Sequence, residues 1–175
     1  MDINVLIVAE NASTEFGGEA SLPLHYYRIL RRRKIPVWLL IHERSQDHLK
    51  SLFPSENEPI IYVTDTIWHR FLWQITSRLP ERLSYLTTGF IMRLLTQLEQ
   101  RRIIHRLVQE HNITVIHQPI PVSPREPSMI FGMGVPVVIG PMNGGMDYPH
   151  AFQRNKSYME SFTITLGRKI THFMN

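Results

Sequence analysis

The sequence predicts an α/β fold, a Rossmann-like, doubly wound parallel sheet with helices on both faces. Three observations predict it. Short apolar runs rich in branched residues recur along the chain. Stretches of helical spacing separate them. No internal repeat, low-complexity tract or interdomain linker breaks the alternation.

Asn4 to Ala9 (NVLIVA) opens the series as a strand buried on both faces, because its apolar run is nearly continuous. A polar loop, ENASTEFGGEAS, follows. Leu22, Leu24, Tyr27 and Leu30 then recur at near-helical spacing, placing a helix from Gly17–Gly18 to the cluster Arg31, Arg32, Arg33 and Lys34, whose cations suit a helix C-terminus. Pro23 is expected in its first turn or at a kink. Pro36 to Ile41 (PVWLLI) is the second strand, which completes a βαβ unit with a right-handed crossover.

Ser45 to Phe53 reads as a short polar helix with Ser45 as its cap, and Pro59 to Val63 as the third strand. The segment from Asp65 to His111 is helical in character and is broken by Pro80. Its first piece carries Ile67, Trp68, Phe71, Leu72 and Ile75. Its second carries Leu94, Leu95, Leu98, Ile103, Ile104, Leu107 and Val108. Ile113 to His117 is the fourth strand and Val135 to Ile139 the fifth. The proline-rich loop between them is expected to pass into a short helix around Ser128 to Met133, and the tail from Tyr158 to Phe173 again has helical spacing. The expected strand order is 3-2-1-4-5, so ligands belong beyond the C-terminal ends of the strands.

Composition narrows the function classes. The chain has 175 residues, 43% hydrophobic, and a net charge of +4. Zero cysteines exclude thiol catalysis, Cys-ligated zinc and iron–sulfur clusters. No GxxxxGK[ST], GxGxxG, HExxH or GxSxG motif occurs. The basic runs Arg31 to Lys34 and Arg101, Arg102, His105 and Arg106 read first as solvated helix ends and faces. Alternatively they meet an anionic partner, a phosphate or a lipid surface. Nucleic acid is not expected, because no aromatic residues interleave with them. Trp68, Phe71 and Trp73, near Arg70, Arg78 and Arg82, read as core packing plus a solvated face, with a membrane-surface helix as the alternative.

Three loops fall at the ligand end of the expected sheet. The first ends in Phe16-Gly17-Gly18-Glu19, where adjacent glycines and a helix N-terminus suit a phosphate, or else form an ordinary tight turn. The second follows His117, whose imidazole can bond a substrate hydroxyl or be satisfied by backbone groups. Gln118 and four prolines stiffen what comes next. The third is Gly140 to Gly145, in which Asn143 offers both a donor and an acceptor.

Four features therefore stand in order along the chain: the opening strand and loop ending in Gly17-Gly18-Glu19, the strand end VIHQP with His117, the loop VSPREPS, and VPVVIGPMNGG. Together they resemble the N-terminal half of a family 4 glycosyltransferase of the GT-B architecture, across essentially all 175 residues. The resemblance implies retaining transfer of a sugar from a nucleotide-sugar donor to a glycan or lipid-linked acceptor, without a metal or other cofactor. By resemblance, Gly17 and Gly18 lie against the donor diphosphate or the reacting sugar. His117 bonds a hydroxyl of the donor sugar as the catalytic residue. Glu19, Gln118, Gly140, Asn143, Gly144 and Gly145 bind substrate. Catalysis in such a site is positioning and charge stabilisation.

The family also has a second, donor-binding domain with paired glutamates, and nothing here corresponds to it. The expectation is thus an acceptor-side domain over residues 1–175 that ends before its last strands and is inactive alone, with the C-terminal half as its partner. The expected location is the cytoplasm, peripheral at the inner, anionic face of the membrane, in surface polysaccharide or glycolipid synthesis. The alternative is a stand-alone nucleotide- or phosphate-binding module, or a membrane-surface module, without catalysis.

Overall fold

The structure is a computed structural model that describes residues 3–55, 57–76, 87–123 and 126–143. The expected tail helix from Tyr158 and the break at Pro80 lie outside the described residues.

Five parallel strands form one sheet in the order β3-β2-β1-β4-β5. In chain order the elements are β1 (Val5–Val8), α1 (Gly18–Arg32), β2 (Val37–His42), α2 (Gln46–Leu52), β3 (Ile60–Val63), α3 (Ile67–Thr76), α4 (Thr88–Glu110), β4 (Val115–Gln118) and β5 (Val137–Ile139). The architecture is α/β and consistent with a Rossmann-like fold, with the strand order that the apolar runs predict.

Both faces of the sheet are covered, which is why its strands read as continuous apolar runs. On one face Val5, Ile7, Leu39 and Ile41 pack with Leu24 and Tyr27 of α1 and Leu49 of α2. On the other, Leu6, Val8, Leu40 and Ile116 pack with Ile104 and Leu107 of α4.

Several local expectations change. Pro23 is buried in the second turn of α1, and the helix runs unbroken from Gly18 to Arg32. Ser45 precedes α2, but its side chain makes no cap bond. It accepts from the Ala12 N–H at 3.2 Å, tying the loop after β1 to the turn after β2.

The helix expected at Ser128 to Met133 is absent; that segment is irregular. Side chains of α4 engage its backbone instead. The Gln97 Oε1 accepts from the Met129 N–H at 2.7 Å, and the Arg101 guanidinium donates to the carbonyls of Met129 and Phe131. Backbone groups committed to side chains thirty residues away cannot also close helical turns. Arg101 also lies over the Phe131 ring, 4.6 Å from its centroid. One member of the second basic run is therefore a structural staple.

Candidate functional site

The strand order reverses between β1 and β4, and a cleft of about 380 Å³ opens there, beyond the carboxyl ends of both strands. Its wall brings together Glu10 and Asn11 after β1, Phe16 and Glu19 at the start of α1, and Arg93, Gln97 and Gln100 of α4. Gln118 of β4, Ile120 and Glu126 close the far side.

Gly17 and Gly18 sit between two of these wall residues. Gly17 holds φ near 100°, a left-handed conformation that a side chain would strain. No side chain caps α1, and a Cβ at either glycine would meet nothing within 4 Å, so the backbone there faces open space.

Glu10 is the charged centre of the cleft. Its backbone is fixed, since its carbonyl accepts from the His42 N–H at 3.1 Å. Its carboxylate lies 3.9 Å from Arg44. Burial pushes that carboxyl above the usual range, against the pull of Arg93 and Arg44, and Glu126 pushes the same way. Arg93 is itself 3.4 Å from Glu126. Gln100 is buried and donates its side-chain N–H to the Ala9 carbonyl at 2.7 Å, which pins α4 to the end of β1.

The residues singled out in the sequence divide into two groups. Glu19 and Gln118 line the cleft, with Gly17 and Gly18 at its rim. His117 belongs to a second arrangement. Its Nε2 donates to the Gly140 carbonyl at 2.9 Å, and its ring meets the edge of Tyr26 at 4.6 Å. Gly140 has φ near 124°, and a Cβ there would press on the Met142 nitrogen at 3.1 Å. The Gly140 N–H donates to the Gln118 carbonyl and the Asn143 N–H to the Val122 carbonyl. His117, Gly140 and Asn143 thus brace the loops after β4 and β5. Gly144 and Gly145 lie outside the described residues.

Sequence reasoning missed Glu10, Arg93, Gln100 and Glu126. Two signals pointed to the first three. Glu10 is the first charged residue after the apolar run of β1, and Arg93, Thr96, Gln97 and Gln100 fall on one face of a helix.

A second polar cluster joins His42, at the end of β2, to Asp65 and His69, with one candidate ligand atom from each within 4.8 Å of the others. Its hydrogen bonds do not suit a cation. The His42 Nδ1 accepts from the Arg44 N–H, so the neutral ring carries its proton on Nε2, which faces the Asp65 Oδ1 at 3.1 Å. Arg44 already reaches that oxygen at 3.3 Å. The Thr96 hydroxyl donates to the Met92 carbonyl, so it accepts from the His69 Nε2. The Thr66 N–H donates to the His69 Nδ1. Neither imidazole keeps a free lone pair for a metal.

This cluster sets a pH response. His42 is fully buried, and burial, followed by Arg44, lowers its pKa, with Asp65 pulling the other way. Above its ordinary value of about 6.5 the ring is neutral in folded and unfolded chains alike, with no effect on stability. As pH falls below that value the unfolded chain takes the proton first, so stability drops until the depressed folded value is reached. Urea midpoints between about pH 7 and pH 5 should fall for the native chain and lose most of that slope in His42→Gln.

Among the described residues no helix is long and apolar enough to cross a membrane. No protein-family model, curated protein or solved structure matches the chain.

Proposed function

We propose that this chain is the acceptor-side domain of a retaining glycosyltransferase of the GT-B architecture, moving a sugar from a nucleotide-sugar donor to a glycan or lipid-linked acceptor. The supporting observation is the cleft at the β1–β4 switch point, whose rim is the Gly17–Gly18 start of α1. In this reading the exposed backbone at Gly17 and Gly18 approaches the donor diphosphate or the reacting sugar. His117 spends Nε2–H on Gly140, so its neutral ring keeps Nδ1 as an acceptor for a sugar hydroxyl. No metal is required of this domain. The paired glutamates and the rest of the nucleotide site belong to a donor-binding partner half.

Titration of the isotope-labelled chain separates this reading from a nucleotide-binding module. Acceptor glycans are expected to shift the amides of Gly17, Gly18 and Gln118 saturably, while nucleotides and nucleotide sugars bind weakly. Tight nucleotide binding at these residues without any response to glycans would replace the transferase reading.

One observation favours a membrane contact as well. Ile67, Trp68 and Phe71, at helical spacing on α3, are 83%, 65% and 54% exposed, with Arg70 beside them. Sedimentation with vesicles containing anionic phospholipid should carry the chain down. A Trp68→Ser/Phe71→Ser variant should bind at least about tenfold less, given the apolar area removed. Equal sedimentation of the two proteins, or none of either, removes the membrane contact.

A further inference from the structure

The chain as a whole is basic, at net +4, yet the cleft is acidic. Three carboxyl groups, Glu10, Glu19 and Glu126, line it against the guanidinium of Arg93, which already lies 3.4 Å from Glu126, while Arg44 reaches Glu10 at 3.9 Å from outside the lining. Inside the cleft, away from the Gly17–Gly18 rim, an anion meets more carboxyl groups than guanidiniums, and both guanidiniums are already engaged.

The cleft nevertheless holds a buried donor. Gln118 is only 3% exposed and lines the cavity. The Ser128 hydroxyl fixes which end of its amide faces where. That hydroxyl accepts from the Ile130 N–H and donates to the Gln118 Oε1 at 2.6 Å, which turns the oxygen end of the amide toward Ser128. The amide NH₂ end of a residue that lines the cleft is left for a ligand in it. At the mouth, Phe16 is 53% exposed and offers an apolar ring beside Ala20 and Ile120.

A donor amide, carboxylate acceptors and an aromatic platform match a sugar ring, which has hydroxyls at its edge and C–H groups on its face. We propose that the cleft binds one uncharged or amine-bearing sugar ring. Gln118 donates to a ring hydroxyl, Glu10 accepts from another hydroxyl or from the amine, and Phe16 stacks on the ring face, while uronic and phosphorylated rings are turned away. This rests on the cleft being the acceptor site, and it differs from the anionic acceptor that the net charge suggests.

The test is titration of the isotope-labelled chain with glucose, mannose, galactose, glucosamine, glucuronate and glucose phosphate, following the Gln118 side-chain amide. At least one neutral hexose or glucosamine should bind saturably, at least about tenfold more tightly than glucuronate and glucose phosphate. Equal or tighter binding of either anion overturns the proposal, as does the lack of a saturable shift with every ring. Gln118→Glu keeps the bond from Ser128 but replaces the donor with an acceptor, and should weaken the best sugar by about tenfold. Phe16→Ala, at an exposed position, should weaken it without unfolding the chain. Unchanged binding in both variants also overturns the proposal. Failure of the transferase reading looks different. Sugar binding at Gln118 with no transfer when a donor-binding half and nucleotide sugars are supplied removes the reading but leaves the sugar site. Transfer onto a uronate or phosphate-bearing acceptor removes the selectivity and leaves the transferase.

Discussion

Replacing Ile7 with alanine is expected to remove about 2–5 kcal/mol of folding stability. Ile7 is fully buried on the central strand, paired with Leu39 on one side and His117 on the other. Its side chain packs among Leu24, Tyr27, Leu39 and Ile41. The loss should fall toward the upper end of that range, because the space left behind cannot close. The neighbouring strands are held in register by backbone bonds, and Tyr27 is anchored by its hydroxyl bond to Glu58 at 2.7 Å. A domain with about 5–15 kcal/mol of stability would be left marginal by this change. Ile29, exposed on the far face of α1, is the control, and its replacement by alanine should stay within about 0.5 kcal/mol. Urea unfolding of the two variants checks both numbers. A loss below about 1 kcal/mol for Ile7 would contradict a central, doubly covered β1.

The strands were legible because burial on both faces leaves a mark that needs no context. VLIV, VWLLIH and VIHQ are short, branched and punctuated by polar or proline residues, and right-handed crossovers restrict how such units assemble. α4 was only half legible. Its C-terminal part follows the apolar rule through Ile104 and Leu107, but its N-terminal part buries Met92, Thr96 and Gln100 and leaves Leu98 exposed. The change in the buried stripe occurs where the helix stops covering the sheet and begins to line the cleft. Periodicity registers apolar faces, so a polar face that is buried for a purpose reads as solvent. The irregular Ser128–Met133 segment failed for a related reason, since the groups that hold it belong to Gln97 and Arg101, far away in sequence.

Backbone conformation demands glycine at Gly17, whose φ is near 100°, and the end of a buried strand placed Gln118 beside the same cleft. Charge was less informative, because a sum carries no positions. Arg31, Arg32 and Lys34 lie at the N-terminal edge of the sheet, beside Pro36, Trp38 and Pro59, while Glu10, Glu19 and Glu126 face the cleft at the opposite edge. The fold gathers Arg31, Arg32 and Lys34 at one end of the strands and three glutamates at the other, each group with some opposite charges beside it, and the net charge reports only the sum.

Gln100→Leu is expected to cost about 1–3 kcal/mol and to loosen the cleft as well. Leucine nearly matches the volume, so packing changes little. What changes is the Ala9 carbonyl, which accepts from the Gln100 Nε2 at 2.7 Å in a place where Ala9 itself is almost completely buried. Ala9 sits directly between the last residue of β1 and Glu10, so an unpaired carbonyl there disturbs the segment that aims the Glu10 carboxylate. Two readouts separate stability from positioning. Urea unfolding should report the lost bond, and hydrogen exchange should quicken at Glu10 and Asn11 while the amides of β2 keep their relative protection. Gln100→Glu is the informative companion. Its carboxylate cannot donate to the carbonyl and adds a fourth negative charge to the cleft, so it should be the less stable of the two variants at neutral pH and should recover as the pH is lowered and the new carboxyl takes a proton that it can donate to Ala9. A Gln100→Leu variant with native stability and native exchange at Glu10 would show that α4 does not hold the end of β1.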